Sequence, residues 1–139
     1  MKKLYSTKVT AKGARNGKVK SEDGLINMEL RMPKELGGEG GAYTNPEQLF
    51  AAGYSACFDG ALNLIAKNKK IEVVETEVNA IVSFGQTEDN GFGLAVDLEV
   101  KVTGVDKATA EKLVEQAHMV CPYSKATKGN IPVTLKIIE

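Results

Sequence analysis

The sequence predicts an α+β domain. Three observations carry the prediction: stretches in which apolar residues alternate with period two, two stretches with helical apolar spacing and marked starts, and their order along the chain. That order, βββ-α-ββ-α-β, groups strands together and departs from the strict βαβ alternation of a parallel α/β fold. At 139 residues the chain has the length of one domain, taken as 1–139.

The first strand is expected around Leu4 to Thr10, which is rich in β-branched and aromatic residues. Lys18-Val19-Lys20 and Leu25 to Met32 flank the turn signal Asp23-Gly24, so they form a hairpin. Ile26, Met28, Leu30 and Met32 share one face, expected to be buried. Gly37-Gly38-Glu39-Gly40-Gly41 forms a flexible loop. It lacks the glycine spacing of a phosphate-binding or dinucleotide-binding loop.

The first helix has a well-marked start. Asn45 suits the N-cap, Pro46 the first helical position, and Gln48 makes a capping pair with Asn45. Gly53 and Gly60 cost helix stability, about 1 kcal/mol each relative to Ala, which suggests close approach of another backbone. The helix is expected to end around Lys67 to Lys70. Two strands follow, Val73 to Phe84 and Phe92 to Val102, joined by a loop containing Asp89-Asn90-Gly91. In the second, Leu94, Val96, Leu98, Val100 and Val102 share one face. A second helix runs from an Asp106 N-cap to about Val120, with Ala110, Leu113, Val114 and Ala117 as its apolar stripe and Pro122 as its stop. Thr127 to Asn130 is a turn, and Ile131 to Ile138 a last strand.

Composition narrows the function. The chain is 42% hydrophobic and 26% charged, enough apolar residues for a core. Eighteen Lys and Arg balance eighteen Asp and Glu, and no basic run points to nucleic acid. Behind Met1-Lys2-Lys3 there is no apolar stretch of secretory type, so export is not expected. Leu49 to Ala66 approaches the length of a membrane span. Ser55, Asp59 and Asn63 interrupt it, so a buried helix in a soluble cytoplasmic protein is expected, with no membrane partner.

The two cysteines are the chemistry-bearing candidates. Cys57 lies on the first helix and Cys121 at the end of the second. Two thiols in a reducing compartment are catalytic, sensing or inert packing residues, and their positions alone leave these open. Glu47 stands alone as a first-turn acid that favours the helix dipole, and Arg15 as a turn residue in Arg15-Asn16-Gly17. His118, the single histidine, is either a base for the Cys121 thiol or a polar surface or subunit-contact residue. Phe50, Tyr54, Phe58 and Tyr123 line an apolar channel or belong to the core.

Longer motifs then carry a resemblance. Asn45 to Leu62, with its Ser55-Ala56-Cys57-Phe58-Asp59-Gly60 centre, and His118 to Ile131, with Val120-Cys121-Pro122-Tyr123-Ser124, resemble the two cysteine motifs of the Ohr/OsmC family. Gly13 to Gly17, Ser21 to Leu25 and Phe92 to Val96 match further blocks in collinear order. Val-Cys-Pro-Tyr-Ser is similar to the organic hydroperoxide resistance (Ohr) branch.

The resemblance implies an OsmC/Ohr-like fold: antiparallel sheets wrapped around two central helices in an intertwined homodimer. It also implies a thiol peroxidase for organic hydroperoxides, fatty acid hydroperoxides included, that uses no metal, haem, flavin or selenium. Cys57 aligns with the peroxidatic cysteine and Cys121 with the resolving one, joined as a disulfide in the cycle. Arg15 aligns with the catalytic arginine and Glu47 with the carboxylate that holds it. The implied reductant is a lipoyl-type dithiol, dihydrolipoamide or a lipoylated protein. Glu47 stands ten residues before Cys57, about 15 Å of helical rise, so it would act through another side chain. Alternatives are an OsmC-branch peroxidase and a non-enzymatic thiol redox sensor.

Overall fold

The structure, a computed structural model, describes residues 1–139, which form two compact units, Met1–Leu49 and Phe50–Glu139. The first unit carries β1 (Val9–Lys12), β2 (Lys18–Ser21) and β3 (Asn27–Glu29) in one antiparallel sheet of that order. Between β1 and β2 the chain makes a 3-10 turn at Ala14–Asn16. Two features force the tightness of this turn. Gly13 takes φ +83°. A Cβ at Gly17 would stand 1.8 Å from the Lys12 carbonyl oxygen, so no larger residue fits. The turn between β2 and β3 is closed by the Asp23 carboxylate, which accepts from the Ser21 hydroxyl at 2.6 Å and the Leu25 N–H at 3.0 Å.

The expected apolar face of this hairpin is shorter than its alternation suggested. β3 has only three residues; Leu30 is buried, but Ile26 and Met28 are exposed. The glycine segment bonds back to its own neighbours. Gly38 and Gly40 donate to the carbonyls of Pro33 and Met32, and Thr44 bridges Leu30.

The helix α1 (Pro46–Asn68) starts as its capping residues dictate: the Gln48 N–H donates to Asn45 Oδ1 at 2.9 Å. The reciprocal half of the capping pair is absent, because the Gln48 side chain accepts from the Thr44 hydroxyl instead. From Phe50 onward α1 belongs to the second unit. There β4 (Glu75–Gln86), β5 (Phe92–Thr103) and β6 (Val133–Ile137) make a sheet with β5 in the centre. β4 and β5 are an antiparallel hairpin pairing Glu75 with Thr103 through Gln86 with Phe92. β6 runs parallel to β5, so this sheet is mixed. Parallel pairing needs a crossover, which α2 (Lys107–Val120) and α3 (Pro122–Thr127) supply.

The α2 N-cap is Asp106, whose carboxylate accepts from Thr109 N–H at 2.8 Å. Pro122 ends α2 as expected, but it also opens α3 as its first residue, a short helix the turn signals did not announce. One core unites Tyr54, Phe58 and Leu62 of α1, Val96, Leu98 and Val100 of β5, and Leu113, Val114 and Ala117 of α2. Complete burial of a side chain such as Leu62 or Leu98 contributes about 2–3 kcal/mol. By length and composition α1 is apolar enough to cross a membrane, yet one face of it builds this core. The two helical glycines differ. A Cβ at Gly53 would come within 3.1 Å of the Tyr123 ring, so the close neighbour there is a side chain and no backbone. A Cβ at Gly60 would meet nothing within 4 Å.

Candidate active site

Four residues singled out in the sequence fall into two pairs, one in each unit. In the first unit the 3-10 turn presents Arg15, and Glu47 follows Pro46 in the first turn of α1. They meet side by side: Arg15 Nη1 donates to Glu47 Oε2 at 2.9 Å and Nη2 to Oε1 at 2.7 Å. This is the planar fork-to-fork geometry that a guanidinium makes with a carboxylate, and it fixes the orientation of both. The side chains are 32% and 15% exposed, so the pair is shielded on most sides. Arg15's hydrogen bonds hold the Glu47 carboxyl below the ordinary carboxylate range, against the opposing effect of burial. The same bonds raise the guanidinium further above neutrality. The arginine is therefore a fixed, permanent positive charge.

In the second unit the two thiols face each other. Cys57 lies on α1, half-buried; Cys121 is the residue between α2 and α3 and has no exposure. Their sulfurs stand 3.6 Å apart, both as free thiols, with Cys121 donating toward Cys57. A disulfide needs about 2.05 Å between sulfurs, so closure requires only a short approach. Cys121 holds φ −59° and ψ 122°, outside helical ψ, and so forms the corner where α2 stops and α3 starts. Burial pushes the Cys57 thiol up from its ordinary value. The Tyr123 backbone N–H, pointed at the sulfur from the start of α3, opposes this, while Cys121 adds to it. Within this unit, then, the balance keeps Cys57 protonated.

The aromatic residues divide. Tyr54 and Phe58 are completely buried core residues, which settles their alternative. Phe50 stays half-buried and Tyr123 is 40% exposed, and both pack with Tyr54 at ring-centroid distances of 5.9 Å. His118 is neither fully exposed nor sealed from solvent. It is half-buried near Phe58, and its Nδ1 lies 2.9 Å from the Ser124 hydroxyl. Ser124 and Thr127, both buried, carry a polar network that no local sequence spacing announces, since their partner Tyr54 is some seventy residues away. No group of three or more His, Cys, Asp or Glu side chains is placed so that it could hold a metal ion.

The mixed α+β fold brings two free thiols into contact, and comparison with known proteins places the chain in one family. The profile of the OsmC-like protein family matches residues 38–136. The organic hydroperoxide resistance protein of Xanthomonas axonopodis pv. citri is 49% identical over 137 residues, covering 98% of this chain and 96% of its own. The organic hydroperoxide resistance protein OhrA of Bacillus subtilis is 50% identical over 142 residues, covering 98% and 97%. The crystal structure of an organic hydroperoxide resistance protein from Elizabethkingia anophelis superposes with a TM-score of 0.94 at 55% identity, covering 99% of this chain and 98% of that one. The chain belongs to the Ohr/OsmC family, and its relatives at about half identity carry the organic hydroperoxide resistance name.

Proposed function

We propose that the protein is a cysteine-based peroxidase that reduces organic hydroperoxides, including those of fatty acids, to alcohols. The observation that carries this reading is the 3.6 Å separation of two free thiols with unequal access. Cys57 is the open one, so it attacks the terminal oxygen of the hydroperoxide. The O–O bond breaks, the alcohol leaves, and Cys57 becomes a sulfenic acid. Cys121, sealed from solvent, condenses with that sulfenic acid and so protects it from further oxidation.

The thiolate is the nucleophile, and Cys57 is pushed toward the thiol by burial. The reading assigns the correction to Arg15, whose charge Glu47 holds in a fixed pose. A lowered thiol pKa and hydrogen bonds to the peroxide oxygens are what a guanidinium supplies. Phe50 and Tyr123, the aromatic residues left accessible, suit the organic tail of the substrate. The disulfide is reopened by a lipoyl-type dithiol, dihydrolipoamide or a lipoylated protein. Both units, residues 1–139, act as one Ohr/OsmC-like domain in a cytoplasmic homodimer.

Peroxide consumption driven by dihydrolipoamide tests the reading. Sustained turnover of cumene hydroperoxide that vanishes in Cys57→Ser supports it. Full turnover in Cys57→Ser refutes the mechanism, and a single oxidation without turnover makes the protein a redox sensor.

A further inference from the structure

The polar network behind the two thiols has a proton count that fixes its chemistry. Its groups make four contacts. The Thr127 hydroxyl donates to the Ser124 carbonyl at 3.1 Å, and Tyr54 Oη lies 3.1 Å from Thr127 Oγ1 and 2.9 Å from Ser124 Oγ. Ser124 Oγ lies 2.9 Å from His118 Nδ1. Each contact takes one proton, and the three hydroxyls carry one each. The fourth proton must come from His118 Nδ1. The chain then has one direction: His118 donates to Ser124, Ser124 to Tyr54, Tyr54 to Thr127, and Thr127 to the Ser124 carbonyl. Tyr54 is fully buried and Ser124 is 1% exposed, so water does not substitute for a missing partner. Burial, with the Lys128 charge adding to it, holds the His118 imidazole below its ordinary range, and the ring is the neutral Nδ1–H tautomer.

The position of this chain suggests its task. His118 stands three residues before Cys121 and Ser124 three residues after, so their hydrogen bond fastens α2 to α3 across the corner that Cys121 occupies. Tyr54 stands three residues before Cys57, one turn away on the same helix. Its hydroxyl ties that corner to the helix of the other thiol.

We propose that His118, Ser124, Tyr54 and Thr127 form a hydrogen-bonded latch that positions the Cys121 thiol for disulfide closure with Cys57. The proposal rests on the peroxidase reading for its setting. In the step concerned, the S–O bond of the Cys57 sulfenic acid breaks and the S–S bond forms. The oxygen leaves as water, carrying its own proton and that of the Cys121 thiol. None of the four residues touches the reacting atoms; they are positioning residues.

Stopped-flow single turnover of the reduced protein with cumene hydroperoxide separates sulfenate formation, scored by trapping with a 1,3-dione, from closure, scored by loss of free thiol. Tyr54→Phe and Thr127→Val should slow closure roughly tenfold, the size of one lost buried hydrogen bond, and leave sulfenate formation within about twofold. Thr127→Ser, which keeps the hydroxyl, should close at the wild-type rate. His118→Asn places an amide N–H near Nδ1 and should also close normally, whereas His118→Gln should not. Nitrogen NMR of the reduced protein should show a protonated Nδ1. Unchanged closure in Tyr54→Phe, Thr127→Val and His118→Gln overturns the latch, as does an unprotonated Nδ1 in the neutral ring. Closure by diamide, which takes up both thiol hydrogens without any peroxide, is run on the same variants. If hydroperoxide fails to oxidise wild-type Cys57, the peroxidase reading is lost, and the same rate pattern under diamide still decides the latch.

Discussion

Replacing Arg15 and Glu47 by Gln, singly and together, isolates the ion pair on which the arginine's orientation depends. The two hydrogen bonds, at 2.7 and 2.9 Å, are short and parallel. Exposed ion pairs contribute about 0.2–1 kcal/mol, and breaking a fully buried pair costs about 3–5 kcal/mol. With Arg15 at 32% and Glu47 at 15% exposure the pair lies between, nearer the exposed limit once solvent screening of the arginine is counted. The double-mutant coupling should be about 1 kcal/mol at pH 7. Glu47→Gln alone should cost somewhat more, about 1.5 kcal/mol, because it also removes an acid from the first turn of α1.

The pH dependence has a definite sign. The folded carboxyl titrates below its unfolded value, which for Glu is about 4.3. The stabilisation is therefore complete above that value and is lost as the pH falls through the lower folded one. Urea unfolding followed by far-ultraviolet circular dichroism, at pH 7 and stepwise down to about pH 3, measures it, with protein concentration held fixed. A coupling under about 0.3 kcal/mol at pH 7, or one that does not fade in acid, refutes the reasoning.

Three other substitutions probe the site. Gly17→Ala drives a methyl into the Lys12 carbonyl and must rebuild the turn that presents Arg15; it should lower stability by about 2 kcal/mol or more in the same urea assay, and a neutral result contradicts the steric account. Arg15→Ala should shift the pH profile of Cys57 alkylation upward, because the proposed mechanism assigns the lowering of that thiol's pKa to the guanidinium; an unmoved profile removes arginine from thiol activation. Cys121→Ser should permit one oxidation of Cys57, block recycling, and give sulfinic acid by mass spectrometry under excess peroxide; normal recycling would exclude a resolving role.

Local rules made much of the fold legible. Asn45 and Asp106 announced two helix starts, and the Val96, Leu98, Val100 alternation announced the buried face of the central strand. Each of these signals is complete within a few residues. The parallel pairing of β6 was not legible, because it depends on a crossover through two helices. The α3 helix was hidden because Pro122 signals a stop as strongly as a start. Ile26 and Met28 alternate like buried residues yet lie exposed, since alternation reports a shared face without saying what covers it. At the site, residue type and spacing left Arg15 and Glu47 as a turn residue and a helix acid. Their bidentate contact spans thirty-two positions and entered through the resemblance alone. The Tyr54, Ser124 and Thr127 contacts span still more, and nothing near any of them marks the others.

The most direct test of the account is the covalent state of the thiols after one exposure to substrate. The reduced protein is treated with equimolar cumene hydroperoxide, alkylated, and digested without reductant for peptide mass mapping. The account predicts a peptide pair joined through Cys57 and Cys121, formed together with an equal amount of cumyl alcohol. Recovery of both cysteines alkylated, with the hydroperoxide intact, contradicts it.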